Sequence, residues 1–570
     1  MMQKSDSDIL SNLLKKCNFD ELRTALGEEI VNLTEYLTDD VTISDIVKVG
    51  ISAYGTNLLF DPKVRFIIIL NNLEQSEIED LCRCFKVPIS KNIPVMIYEV
   101  AHKPFKDNKG TIELLKLLGF SQDVLNTPIE AVDELSFTLE KDKSNVFYET
   151  LDYQYDIRRK VIKLFLEQEA ARCLVHMPTG AGKTKTSMHI LQELWSFNYA
   201  KRGDILWIAH SEELLNQALA TFVNTWDVLG AFSVDVEKLW GAATIPEKKE
   251  NPRIIFASIQ KLQAILKKSE SDFLKLTKDV NLLLVDECHK APASKTHEVI
   301  LKVLNTTNTY GRHPNLIGLT ATPGRTNSYD IEDRKLKMLF DNVKFGISMD
   351  IIERYSPVNF EAENEIDLLQ KREILSTFVR EPIKLSATDL KLSPAEINSM
   401  KRSLEKEKEF SSEILHKLSI NKERNRRIIN KLIEVDSKGL KTIFFACNIA
   451  HAKLINAALK LSGIKSGLVL GETPPIERNR VIKKFQENND ELSILINVGV
   501  LTTGFDSPNI DCVFVGRPIS SIILYSQIIG RGIRGRLMGG KQECLLIDVI
   551  DNENFGDEKW AFNYFDKYWS

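Results

Sequence analysis

Five short runs of branched apolar residues, CLVHM, ILWIA, IIFAS, LLLVD and LIGLTAT, recur between residues 173 and 322 with helical stretches between them. A strand that is apolar on both faces has to be covered on both faces. Such runs therefore predict the buried strands of a parallel sheet with helices packed above and below it. A charged stretch over 361–435, dense in Lys, Glu and Arg at helical spacing, follows them. Strand-like runs then resume as KTIFFAC, LSILINV, DCVFVG and ECLLIDV. The front of the chain has another texture. DILSNLLKKCNFDELRTAL and TIELLKLLGF place apolar residues three and four apart, and FDPK and VPISKNIP interrupt them. The expected organisation is a helical accessory or partner-binding domain over 1–140, an α/β block over 145–345, a helical connection over 346–435 and a second α/β block over 436–570.

A chain of 570 residues is too long for one ordinary core, which agrees with several domains. Its net charge of -4 does not exclude a nucleic-acid partner, because a local basic groove suffices for phosphate contacts. The eight cysteines contain no CxxC pair; only Cys82 and Cys84 lie close, without a second pair at zinc spacing. They read as small buried hydrophobes of a reducing compartment. The start, MMQKSDSDIL, is polar, and the longest apolar run, VRFIIIL, is too short to span a bilayer. The expectation is a cytoplasmic protein with no membrane partner.

Chemistry concentrates in MPTGAGKTKTS, Met177 to Ser187, between a strand and a helix. Gly180 and Gly182 let backbone N–H groups approach phosphate oxygens, and the helix N-terminus adds positive potential. Thr179 and Ala181 complete the turn, Lys183 reaches the outer phosphates, and the Thr184 hydroxyl is a ligand for Mg²⁺. The strict pattern has a glycine where this chain has Met177. The expected ligand is ATP with Mg²⁺. A second element, NLLLVDECHKA, ends an apolar strand in Asp286, Glu287, Cys288 and His289. Asp286 is expected to hold Mg²⁺, and Glu287 to orient and deprotonate the attacking water.

Asp-Glu-x-His after such a strand resembles the signature of superfamily 2 helicases and translocases, and further motifs carry the resemblance along residues 145–555. It implies an α/β fold with two tandem RecA-like parallel-sheet domains behind a mainly helical N-terminal domain. LIGLTATPGR supplies Thr320 and Thr322, which with His289 would couple hydrolysis to domain movement. LDYQYDIRRKVIK supplies Gln154 for the adenine edge. NVGVLTTGFDSPNID is similar to motif V, with Thr502 and Thr503 toward a nucleic-acid backbone and Gly504 and Asp506 toward the nucleotide. YSQIIGRGIRG is similar to motif VI, with Gln527, Gly530, Arg531 and Arg534 in register. Those arginines would stabilise charge on the transferred phosphoryl group. Ser211, Ser258 and Asn448 stand where the family grips the backbone. SINKERNRRII, just upstream of the last of these, is a basic helix whose charged face either lines the groove or is solvated, the second reading being preferred.

The combination of a DECH box, TATPGR, TTGFDSPNID and GGKQECLLIDVID is most similar to the restriction-motor and DNA-repair branch. It implies an ATP hydrolase coupled to translocation on, or unwinding of, DNA, duplex DNA above all, in repair, restriction or antiviral defence. An RNA helicase of the same fold is the first alternative. A slow nucleotide-gated clamp that recruits a nuclease is the second. No nuclease signature is present, so a nuclease or methylase partner would dock through residues 1–140.

Overall fold

The apolar runs form a parallel sheet. In this computed structural model the described residues are 6–27, 30–31, 34–35, 41–106, 108–121, 135–139, 150–196, 203–248, 250–309, 311–324, 331–348, 362–405, 410–487, 492–502, 504–505 and 507–550. The strands of this sheet are β1 (Ser136–Leu139), β2 (Arg172–His176), β3 (Asp204–Ala209), β4 (Val234–Leu239), β5 (Arg253–Ser258), β6 (Val280–Asp286), β7 (Asn315–Thr320) and β8 (Lys344–Phe345). They lie in the order β1-β4-β5-β3-β6-β7-β2-β8, and every pairing but β1 with β4 is parallel. Strands β3, β6 and β7 are wholly buried, as the double-faced apolar pattern requires. Strand β4, VDVEKL, carries three charged residues and still has every side chain buried. Its Asp235 accepts hydrogen bonds from Thr138 at 2.7 Å and Asn251 at 3.1 Å, and Lys238 stands 5.8 Å from the Phe137 ring centre. Pairing, not hydrophobicity, makes that strand, so its sequence carries no apolar signal.

The chain forms two compact units. One joins Val132–Ala387, Lys391–Ser411 and Gly499–Ser570. Besides the β1–β8 sheet it holds strand Glu543–Ile550, paired in parallel with Cys512–Val515, Thr377–Arg380 and Ile383–Lys384. Two helices behind the phosphate loop, Lys183–Ser196 and Glu212–Leu229, are locked by an aromatic cluster. Trp195 and Trp226 meet edge to face at 4.9 Å, Phe222 stacks on Trp226 at 5.5 Å, and the Trp226 indole donates to the Phe232 carbonyl at 3.0 Å.

The other unit joins Met1–Ala131, Thr388–Leu390 and Ser412–Val498. Its front is a set of short helices, among them Ile43–Tyr54, Pro62–Asn72 and Ile93–Ala101. The buried Arg65 donates to the carbonyls of Ala101 and Leu59 and so caps the last of these helices. Its second half has parallel strands Thr442–Phe445, Ile494–Asn497 and Ser466–Val469, with the middle one paired on both sides. The front packs on helix Ile449–Leu461: Lys453 lies 4.7 Å from the Tyr54 ring centre, and Lys460 donates to the Ser52 carbonyl at 3.2 Å. The expectation of a solvated SINKERNRRII helix is corrected at Arg424 alone among its arginines. Arg424 and Asn425 are fully buried, with Asn425 donating to the Ser419 carbonyl at 2.7 Å and facing His451 at 3.1 Å; Arg426 is exposed.

The α/β fold with parallel sheets and a helical front is thus the one expected. Among the described residues no helix is long and apolar enough to cross a membrane.

Candidate active site

The phosphate loop turns from β2 into helix Lys183–Ser196. Gly180 and Gly182 have φ of 84° and 83°, a region that residues with a Cβ avoid. Met177, in place of the expected glycine, is fully buried, and its N–H donates to the Thr320 carbonyl at 3.1 Å. It anchors the loop to β7. From behind, helix Asp152–Glu167 grips the same loop. The Gln154 amide donates to the Ala181 carbonyl at 3.0 Å, and the Tyr153 hydroxyl donates to it at 2.8 Å. The Gln154 side-chain oxygen accepts from the Leu151 N–H at 3.1 Å.

Strand β6 delivers the acidic pair. Asp286 ends the strand, buried, and accepts from the Glu287 N–H at 2.9 Å. Glu287 takes a left-handed backbone, φ 48°, which turns its carboxylate toward Lys183, 3.3 Å away. The charges settle as geometry dictates. Burial raises the Asp286 carboxyl to about 6, against the pull of Lys183. Burial also raises Glu287, but Lys183 and His289 outweigh it and hold that carboxyl well below its usual range. Burial works against the charge on Lys183, and Glu287 and Asp286 overrule it, so the ammonium is kept. A buried carboxyl with this cost of ionisation, beside the Thr184 hydroxyl in the same cleft, fits a site for a hard cation such as Mg²⁺.

His289 Nδ1 lies 3.1 Å from Thr320 Oγ1 and 3.3 Å from both Thr322 Oγ1 and Glu287 Oε2. The Thr320 hydroxyl donates to the Thr322 carbonyl at 2.9 Å and accepts from its N–H at 3.0 Å. The three expected coupling residues therefore form one hydrogen-bonded chain, ending on Glu287.

The arginines come from the loop after helix Ile522–Ile529. Arg531 donates through Nε to the Gln527 carbonyl at 3.1 Å and through Nη1 to the Phe505 carbonyl. At Gly530 a Cβ would stand 2.9 Å from Thr179 Cγ2, so the arginine loop lies directly against the phosphate loop. Lys183, Thr184, Asp286, Glu287, Arg531 and Arg534 all line one open cleft with a volume of about 390 Å³. Gln527 lines a smaller cavity with Thr179, Glu287 and Thr322. Gly504, φ 71°, backs onto the start of helix Glu212–Leu229, where a Cβ would stand 2.8 Å from the Leu214 nitrogen.

The residues expected on a nucleic acid sit elsewhere. Ser211 and Ser258 are helix N-caps, accepting from the N–H groups of Leu214 at 3.3 Å and Lys261 at 3.2 Å. Asn448 caps its helix through the His451 N–H at 2.8 Å. The Thr502 hydroxyl donates to the Gly499 carbonyl at 2.7 Å. Thr503 and Asp506 lie outside the described residues. Sequence reasoning missed Tyr153, which flanks a residue it named, and Met538, which lines the cleft from a turn with no motif.

The sequence is similar to known proteins. Residues 147–325 match the family described as type III restriction enzyme, res subunit, and residues 424–536 match the helicase conserved C-terminal domain. The putative ATP-dependent helicase IRC3 of Saccharomyces cerevisiae is 28% identical over 424 residues, covering 71% of this chain and 52% of that protein. The chain thus spans about half that relative's length. The ATP-dependent DNA helicase MPH1 of the same yeast is 29% identical over 184 residues, covering 31% of this chain and 16% of its own. A fragment structure of a putative HsdR subunit of a type I restriction enzyme from Vibrio vulnificus is similar with a TM-score of 0.48 and 20% identity, covering 80% of this chain and 72% of that one. With its phosphate loop, its DECH box and both matching domains, the chain belongs to the superfamily 2 helicases, related to restriction-type res subunits and repair helicases.

Proposed function

We propose that the chain is an ATP-fuelled translocase or helicase on DNA, with duplex DNA as its track. The observation that carries the reading is the single cleft shared by Lys183, Thr184, Asp286, Glu287, Arg531 and Arg534. A triphosphate in that cleft meets the N–H groups of the glycine turn and the Lys183 ammonium on one side and two guanidinium groups on the other. Thr184 and Asp286 would hold Mg²⁺, which neutralises phosphate charge when bound. Glu287, kept ionised by its neighbours, orients a water and takes its proton. Arg531 and Arg534 stabilise the charge that builds on the phosphoryl oxygens. Gln154 is buried behind the loop, with its amide N–H on the Ala181 carbonyl and its oxygen on the Leu151 N–H, and so positions the glycine turn. The chain of hydrogen bonds from Glu287 through His289 to Thr320 and Thr322 links the hydrolytic centre to the end of β7.

DNA is favoured by the restriction-enzyme family match and by the DNA-helicase name of one relative. Backbone contacts supply affinity without base readout, which suits a motor. Repair, restriction or antiviral defence are the settings such a motor fits, with the domain limits expected from the sequence and a nuclease or methylase partner at the helical front. The test is ATP turnover with single- and double-stranded DNA and RNA. Strongest stimulation by duplex DNA supports the reading; strongest stimulation by duplex RNA replaces it with an RNA helicase of the same fold.

A further inference from the structure

The stretch after residue 361, expected only as a helical connection, contains a turn that touches both sides of the cleft. Helix Glu365–Lys371 ends at Arg372, and Glu373 takes a left-handed backbone, φ 55°, unusual for a residue with a side chain. Such strain persists where the surroundings over-determine it, and here they do. The Glu373 carbonyl accepts from the Leu537 N–H at 3.0 Å and the Ile374 carbonyl from the Gly535 N–H at 3.0 Å. The Ser376 N–H donates to the Ile533 carbonyl at 2.7 Å. The Ser376 hydroxyl lies 2.6 Å from the Arg534 carbonyl and 2.7 Å from that of Lys541, closing the arginine loop into a ring. At Gly535 a Cβ would overlap the Glu373 carbonyl, so the approach leaves room for glycine alone.

The same turn reaches the phosphate loop. Leu375 Cδ2 would stand 3.2 Å from a Cβ at Gly180, and Ile374 and Leu375 share an apolar cluster with Met177, Ala181 and Ile533. Arg372 completes the connection. Its Nη1 donates to both Asp152 carboxylate oxygens at 3.0 Å, in a pair that is largely shielded, with side chains 22% and 16% exposed. Asp152 opens the helix whose next two residues, Tyr153 and Gln154, hold the Ala181 carbonyl.

We propose that Glu365–Ser376 is a clasp that keeps the arginine loop in register with the phosphate loop, and that Arg372 is its positioning residue, acting through Asp152. The inference rests on the ATP-site reading above and adds to it a determinant of the hydrolytic step. Arg372 touches no phosphate. It fixes the distance from which Arg531 and Arg534 act, and small misplacements of that kind cost turnover more than binding.

The experiment uses the full chain with whichever nucleic acid stimulates wild-type turnover most. Arg372→Ala should lower kcat about tenfold or more, while affinity for a non-hydrolysable ATP analogue stays within about twofold. Arg372→Lys should restore part of the rate, since it keeps the positive charge facing Asp152 but on a shorter side chain without the planar guanidinium. Asp152→Asn, which keeps the shape, should lose rate in the same direction. Arg372→Ala with Asp152→Ala should be no worse than the worse single variant, because one interaction is removed twice. Wild-type kcat in Arg372→Ala and Asp152→Asn overturns the clasp, as does a loss that appears as weaker analogue binding or is additive in the double variant. Lys183→Ala serves as the reference. Turnover surviving in it overturns the ATP site itself, and the clasp with it.

Discussion

Gly182→Ala probes the phosphate loop at the point where two constraints meet. The residue has φ 83°, which costs a side-chain-bearing residue about 1–2 kcal/mol. The new Cβ would also overlap Gln154 Nε2, a buried group with little room to retreat. Moving it breaks the 3.0 Å hydrogen bond to the Ala181 carbonyl, worth about 1 kcal/mol. The sum, about 2–3 kcal/mol, converts to about 30- to 150-fold weaker nucleotide binding if the loop escapes the strain by leaving its binding geometry. In a Gln154→Ala background the overlap is gone and only the backbone term remains, about 5- to 30-fold. Titration of a fluorescent ATP analogue in the four variants of this cycle measures both figures. An unchanged affinity in Gly182→Ala, or an equal loss in both backgrounds, refutes the reasoning.

Arg531→Ala should leave ATP-analogue binding nearly intact and reduce hydrolysis about 10³-fold, the scale of an arginine finger, read by steady-state turnover beside equilibrium binding. His189 is buried on the phosphate-loop helix, and burial, with Arg158 and Lys185 nearby, lowers its imidazole to about 4. Because the unfolded chain takes up this proton near pH 6.5, the stability tied to neutral His189 is whole above that value. It is lost as pH falls toward 4, by at most about 3 kcal/mol. Denaturant titrations between pH 7 and 4 should show a shallower decline in His189→Gln. Trp226→Ala should destabilise the unit that holds the cleft by about 3–5 kcal/mol, because it removes the centre of the aromatic cluster, visible as a lower melting temperature.

Local chemistry was legible before any coordinates. Lys183, Asp286 and Glu287 announce themselves because phosphate loops and strand-end carboxylates need fixed neighbours in sequence, and the structure brings them to one cleft with Arg531 and Arg534. The coupling set was legible for the same reason, and His289, Thr320 and Thr322 do meet. Contacts made across distance were not. Arg372 and Asp152 are joined by folding alone, and neither residue type nor periodicity marks them. Tyr54 beneath Lys453 is a similar case, so the docking of the helical front had no signature. Strand β4 was hidden by three charged residues that lie buried in the interior, Asp235 among them hydrogen-bonded, and Arg424 was misread as solvated because arginines seldom lie fully buried. Asn448 and Ser211 carry the polar groups the family motif places near a backbone, and the same groups cap helices, a role indistinguishable from the first by composition.

The most direct test of the account is displacement of a third strand from duplex DNA by the wild-type chain and by Glu287→Gln, with ATP present. A motor fuelled at this cleft displaces the strand, and the variant, able to hold ATP but not to activate water, does not. Equal displacement by both would contradict the assignment of Glu287, and displacement by neither, with ATP binding intact, would make the protein a nucleotide-gated clamp.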